Sequence, residues 1–205
     1  MGHRPRRPRR DLDRGRDPER GGPVTALPTP AQTVGPFYGY ALPYPGGPEI
    51  APAGHPDAIT LHGRVFDGAG EPVPDALLEF WQPVPAGRTG SMRRDQTTGG
   101  FAGRDGITFT GFGRVATDPD GRWAVRTLPP AGVPYLSVCV FARGLLHHLF
   151  TRAYLPGPDT EADRLLAALP AGRRATLLAA EEEPGRYRFD VRLQGPEETV
   201  FLEFR

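Results

Sequence analysis

The chain contains no lysine and no asparagine, and all 25 of its basic residues are arginine. GC-rich codon usage produces that pattern, so an arginine here says less about ligand chemistry than it would in a mixed basic set. Cysteine is nearly absent. Cys139 stands alone in the apolar run LSVCVF, where a small buried hydrophobe is the ordinary occupant. One cysteine cannot close an internal disulfide, which fits a reducing, cytoplasmic setting. No apolar run approaches the ~18 residues of a membrane span. The N-terminus also lacks the apolar core of a secretory leader. Formal net charge is only +1. Residues 1–22 hold eight arginines against four acids, a balance of +4, which leaves −3 for the remainder. That excludes a general nucleic-acid footprint.

Turn formers are abundant. The 27 glycines and 25 prolines make about a quarter of the chain, and apolar segments recur between them. Short strands joined by Gly/Pro turns are the reading this supports. Three regions follow. Residues 1–22 read as a disordered basic tail, residues 23–58 as an N-terminal extended segment, and residues 59–205 as the folded domain. In ITLHGRVF, Ile59, Leu61, Gly63 and Val65 alternate onto one face. A turn follows at Asp67-Gly68-Ala69-Gly70, then a strand ending at Trp81. The pattern returns with a turn at Asp118-Pro119-Asp120-Gly121. PYLSVCVFAR reads as a strand buried on both faces, and GLLHHLFTRAYLPG as another strand with its turn. Leu165, Leu166 and Leu169 predict one short helix, with Thr160 as N-cap and Pro170 as its stop. Two strands around Gly195-Pro196 close the chain. The expected fold is all-β, a β-sandwich of about seven or eight strands with one short helix.

Catalytic machinery is hard to find. The histidines are His3, His55, His62, His147 and His148, and no pair has HxH or HxxxH spacing. His62 is out of phase with the apolar residues of its strand and is expected to face solvent. Adjacent side chains on a strand point to opposite faces, so His147 and His148 could not chelate one ion together. No nucleophile elbow, Walker loop or dinucleotide fingerprint is present. The short GFGR at 111–114 reads as a tight, crowded turn.

Five segments in order carry a resemblance. They are TPAQTVGPF, GRVFDGAGEPVPDALLEFWQP, GITFTGFGRVATDPDGRWAVRTLPP, VFARGLLHHLFTRAYLPG and ETVFLEF. Together they resemble the intradiol ring-cleaving dioxygenases from about residue 28 to residue 205. The resemblance implies a β-sandwich acting on a catechol with O2. In that family two tyrosines and two histidines hold Fe(III). At the matching positions this chain has Thr89, Tyr135 and Ser137, and LPPAGVPY is too short for the second tyrosine's loop. Where the family has two kinds of chain, alpha chains are iron-free and beta chains hold the metal. The resemblance therefore implies an alpha-type chain that binds no cofactor itself and partners a beta chain carrying Fe(III). It assigns Thr33, Gly35, Pro36, Phe37 and Arg143 to the wall of a shared substrate pocket. Phe37 stands where the family often has tyrosine.

Physical chemistry agrees with that assignment. An arginine is a natural counter-charge for a carboxylated catechol, and Gly-Pro lets backbone approach a flat ring closely. Tyr38, Tyr40 and Tyr44 read as interface aromatics. Two other readings stay open. One is a free-standing sandwich that binds a carboxylated aromatic without catalysis. The other is a self-sufficient dioxygenase with Tyr135 and His147 as unusual ligands.

Overall fold

Alternation of apolar side chains in residues 59–66 produces the central strand of one sheet, and every other element is placed relative to it. A computed structural model of the chain describes residues 33, 35, 37–83, 95–98 and 107–204. The expected tail over residues 1–22 lies outside the described residues, as do Pro36 and Thr89. The chain divides into Met1–Pro30 and Ala31–Arg205, and all described residues belong to the second unit.

Nine strands are present among the described residues. They are β1 (Ile59–Phe66), β2 (Leu77–Trp81), β3 (Phe112–Ala116), β4 (Arg122–Thr127), β5 (Tyr135–Phe141), β6 (Leu149–Tyr154), β7 (Ala180–Glu183), β8 (Arg186–Arg188) and β9 (Val191–Arg192). One sheet runs β4-β1-β8-β7, with β9 also paired to β1, and the other runs β3-β2-β5-β6. In β1, Ile59, Leu61, Gly63 and Val65 are buried while Thr60, His62, Arg64 and Phe66 are half-buried, as the alternation requires.

The core fills the gap between the sheets. Leu61, Val65, Trp123, Val125, Phe189 and Val191 meet Leu78, Phe80, Leu136, Val138, Val140 and Ala153. Phe80 and Trp123 lie with ring centroids 5.0 Å apart. Each such ring removed from water contributes about 1.5–3 kcal/mol. Gln82 ties the sheets at one end. Its amide donates to Leu128 O (2.9 Å), its carbonyl accepts from Thr127 Oγ1 (2.6 Å), and the residue is almost fully buried. Residues 47–51 cross from β3 to β4. Arg114 N donates to Gly47 O (3.0 Å), Arg126 N to Pro48 O (2.9 Å), and Ile50 N to Arg126 O (2.8 Å). Ile50 enters the core through the space left by Gly113.

Both expected Asp-Gly turns are present and share one device. Asp67 Oδ1 accepts from the amides of Ala69 and Glu71, and Asp118 Oδ1 from those of Asp120 and Arg122, all at 2.8–2.9 Å. The carboxylate organises each bend.

Four expectations need correction. The single helix is three short ones, α2 (Pro158–Glu161), α3 (Arg164–Ala168) and α4 (Ala171–Ala175), after an earlier turn of helix, α1 (Tyr38–Ala41). Thr160 lies inside α2 and donates to Leu155 O, while Asp163 caps α3 through the amides of Leu165 and Leu166. Pro170 does end α3, but it also begins α4 because a proline needs no amide partner there. Beyond Gly195 no strand forms among the described residues; residue 202 only bridges Phe150. His147 and His148 precede β6 rather than lying on it. Finally, Phe112, Gly113 and Arg114 belong to β3, so only Gly111 of the GFGR motif lies outside a strand.

Gly63 is indispensable for the β1–β8–β9 junction. A Cβ there would lie 1.9 Å from Phe189 O, and the backbone cannot yield without breaking the 2.7 Å bond from Phe189 N to His62 O. Gly63→Ala is expected to destabilise the chain by about 3 kcal/mol, the upper end for overpacking. Urea denaturation checks this through the shift in midpoint.

Candidate functional site

Asp75 lies two residues before β2 and Arg143 two residues after β5. The pairing of Leu77 with Phe141 brings these two strand ends together. Arg143 Nε and Nη2 both lie 2.6 Å from Asp75 Oδ2. The Tyr38 hydroxyl donates to the backbone carbonyl of Asp75. Tyr38 is the buried face of α1, at 6% exposure. Burial, and next the Asp75 carboxylate, push its phenol above the ordinary range; Arg143 only partly offsets them. One acidic residue thus fastens the N-terminal turn to the end of β5.

The expected pocket residues are distributed around this knot. Thr33 is exposed, and its Oγ1 accepts from Gly35 N at 3.2 Å. Gly35 has φ +75°, a conformation suited to glycine. Phe37 is 77% exposed and Tyr40 88%. The structure brings α1 and Arg143 to the same end of the sheet through Tyr38 and Asp75. Of the tyrosines read as interface aromatics, only Tyr40 is free of the chain's own packing. Tyr38 is buried, and Tyr44 stacks on Phe112 with centroids 6.5 Å apart.

Asp75 was not among the expected site residues, and only its place just before a strand could have pointed to it. It raises a question of competition, since Arg143 already has a carboxylate. The Arg143 side chain is 71% exposed, and exposed ion pairs contribute about 0–1 kcal/mol. A charge-assisted bond in a drier pocket contributes about 1.5–3 kcal/mol. The pair is therefore weak enough for the guanidinium to exchange carboxylate partners.

Of the positions matched to metal ligands, Tyr135 and Ser137 lie elsewhere, on the outer face of the β3-β2-β5-β6 sheet. Tyr135 pairs with Tyr154 and Ser137 with Arg152. The Arg152 guanidinium sits 4.1 Å from the centroid of the Tyr135 ring, and its Nη1 donates to the Tyr154 hydroxyl at 3.1 Å. That hydroxyl donates to Asp163 Oδ1, also at 3.1 Å. Sequence reasoning missed Arg152 because nothing in TRAYLPG marks it. Next along the face, Glu79 and Arg114 form an ion pair, both side chains only 15% exposed. Arg114 also donates to Leu42 O at 2.7 Å, pinning the N-terminal segment. Burial, then Glu79, raises the Cys139 thiol to about 12, so it offers no thiolate near neutrality. Among the described residues no three His, Cys, Asp or Glu side chains converge as a metal site.

Burial also raises the Tyr154 phenol to about 12, against a partly offsetting Arg152. A raised acid pKa means that the folded chain keeps a proton which the unfolded chain has lost. The contribution is complete below pH 10 and is lost as pH rises toward 12. Stability should fall over that window more steeply in the wild type than in Tyr154→Phe, as denaturation midpoints across the alkaline range will show.

Residues 35–139 match the family model described as Dioxygenase. The protocatechuate 3,4-dioxygenase alpha chain of Burkholderia cepacia is 42% identical over 203 residues, covering 88% of this chain and 99% of that protein. The beta chain from the same organism is 29% identical over 162 residues, covering 70% and 67%. Among solved structures, the dioxygenase domain of a dioxygenase–carbohydrate-binding fusion from Streptomyces sp. SirexAA-E superposes with a TM-score of 0.50. It is 27% identical and covers 82% of this chain and 99% of that one. The two-sheet architecture, the length of the match and its identity together establish that this chain belongs to the intradiol dioxygenase family, whose members depend on iron.

Proposed function

We propose that the chain is the iron-free alpha subunit of a protocatechuate 3,4-dioxygenase, working in the cytoplasm with a beta subunit that carries the Fe(III). Together they would cleave protocatechuate with O2 between its hydroxyl-bearing carbons, giving 3-carboxy-cis,cis-muconate. The greater likeness to an alpha chain than to a beta chain, 42% against 29% identity, supports the alpha role.

The observation that carries this reading is the donor chemistry around Tyr135. A ferric site needs anionic or strong neutral donors. Here the phenol ring lies under the Arg152 guanidinium, and the next residue on the same face of β5, Ser137, pairs with Arg152 itself. A multivalent cation added there would face a fixed positive charge at close range. These residues do not fit iron. The Fe(III) of the beta subunit supplies the oxygen chemistry, and this chain's residues bind and orient. Gly35 and Pro36 would form a flat wall for the ring, Thr33 would set the loop that carries them, and Phe37 would close its edge. Arg143 would meet the substrate carboxylate with the guanidinium edge that Asp75 leaves open.

Purification with and without the beta subunit tests the assignment. The chain alone should bind no iron and consume no O2 with protocatechuate, and the complex should do both. Stoichiometric iron in the chain alone would overturn the reading. In the complex, Arg143→Gln should raise KM roughly tenfold or more, as expected for one lost charge-assisted bond, with iron content unchanged. Gly35→Trp should leave iron in place but block O2 uptake. No described atom lies within 4 Å of a Cβ built at Gly35, but its φ of +75° strains any side chain there, so an unchanged circular-dichroism spectrum of the variant is the control that assigns the loss to the substrate side.

A further inference from the structure

Arg152 is one of four half-buried arginines, with Arg64, Arg173 and Arg174, that form no ion pair among the described residues. Arg114, Arg126, Arg143 and Arg188 each have a carboxylate within 3 Å. The contacts of Arg152 are one neutral hydroxyl and one aromatic face. A cation drawn out of water without an anion is electrostatically incomplete.

Beside it lies a cavity of about 230 Å³ on the outer face of the β3-β2-β5-β6 sheet. Trp81, Ser137, Cys139, Phe150, Arg152 and Phe204 line it. Strand register explains how they meet: Trp81, Ser137 and Arg152 stand in one row across β2, β5 and β6, and Cys139 and Phe150 in the next. The C-terminal segment follows β6 through the bond from Leu202 N to Phe150 O (2.8 Å) and brings Phe204 to the rim, where its ring meets Phe150 edge-on at 5.2 Å.

Among the described residues, Arg152 is the only charged one lining the cavity. Cys139 adds no negative charge, because its thiol stays protonated. The nearby Glu79 is held by Arg114. Of the remaining walls, Trp81, Phe150 and Phe204 are aromatic and Val138 and Leu202 aliphatic. Typical sites for drug-sized ligands occupy about 300–1,000 Å³, so this cavity suits something of about one ring. An inorganic anion would satisfy the cation but leave the aromatic walls unused.

We infer that this cavity is a second binding site, for a one-ring aromatic carboxylate, with the carboxylate on Arg152 and the ring against Trp81 and Phe150. The guanidinium has planar N–H groups suited to a carboxylate, and ring stacking on the walls adds about 0.5–1.5 kcal/mol. The site does not depend on a beta subunit and shares no residue with the α1–Arg143 surface.

Calorimetric titration of the purified full-length chain tests this, with benzoate as probe and benzamide as its uncharged counterpart. Benzoate should bind saturably and benzamide at least tenfold more weakly. Arg152→Met should weaken benzoate binding by tenfold or more, the loss expected for a charge-assisted bond. Trp81→Ala, at a half-exposed strand end, should weaken it several-fold and keeps the test decisive if Arg152→Met does not fold. Arg122→Gln, at an exposed arginine of the other sheet, should bind benzoate as the wild type does. The proposal fails if the wild type shows no saturable binding, or if benzamide binds equally well. It fails too if Trp81→Ala or a folded Arg152→Met retains wild-type affinity, or if Arg122→Gln abolishes binding. Failure here would leave the subunit assignment standing, because iron content and O2 uptake of the complex are read separately.

Discussion

Asp75 holds two parts of the chain against each other, and the candidate surface exists because of it. Its backbone carbonyl takes the Tyr38 hydroxyl, and its carboxylate takes Arg143. Without the first contact, the bond from Arg114 to Leu42 O would be left to hold α1 to the sheet. Without the second, Arg143 would be a solvated side chain in many rotamers, and ordering it would cost up to about 2 kcal/mol of side-chain entropy. The pair is exposed enough to be weak. That weakness suits a guanidinium which must hold position when empty and accept a ligand carboxylate when one arrives.

The sandwich separates two kinds of work by face. Inward residues of both sheets form the apolar core, and Gln82 and residues 47–51 fasten the sheets together. The outer face of the β3-β2-β5-β6 sheet carries polar and aromatic groups instead. In the motif Glu79-x-Trp81-Gln82 each residue has its own task. Glu79 neutralises Arg114, Trp81 faces outward at half exposure, and Gln82 bonds to β4 and the residue after it. Alternation along a single strand thus sends consecutive residues of one motif to different sides. At the far end of this face, the Arg152 guanidinium lies over Tyr135, a position that the sequence resemblance matches to a metal ligand. A fixed internal cation is a physical reason for such a site to give up a metal ion and to favour anions.

Much of the sandwich was legible in the sequence. The alternation in β1, the continuous apolar run of β5 and both Asp-Gly turns appear where composition and period placed them. β7 was missed because Ala180 and the three glutamates that follow it are all exposed. As an edge strand it shows no apolar face to read. The helical region was misdivided because Thr160 is a plausible cap by residue type. Its hydroxyl instead goes to a carbonyl five residues earlier, a contact that depends on tertiary folding. The same limit applies to the site. Arg143 and the 33–37 loop could be named from resemblance, but Asp75 and Arg152 act through partners 68 residues away and on a neighbouring strand. No local pattern records those contacts.

The central claim is that the surface around α1 and Arg143 faces a partner's iron. A nitroxide attached at Phe37→Cys in the alpha–beta complex tests it most directly. Phe37 is exposed, while Cys139 is buried with its thiol protonated, so labelling is selective. A second label at Ala180→Cys, on the exposed edge strand β7, serves as reference. The account predicts that loading the partner with Fe(III) speeds electron-spin relaxation at position 37 and leaves position 180 nearly unchanged. Equal effects at the two positions, or none at position 37, would contradict it.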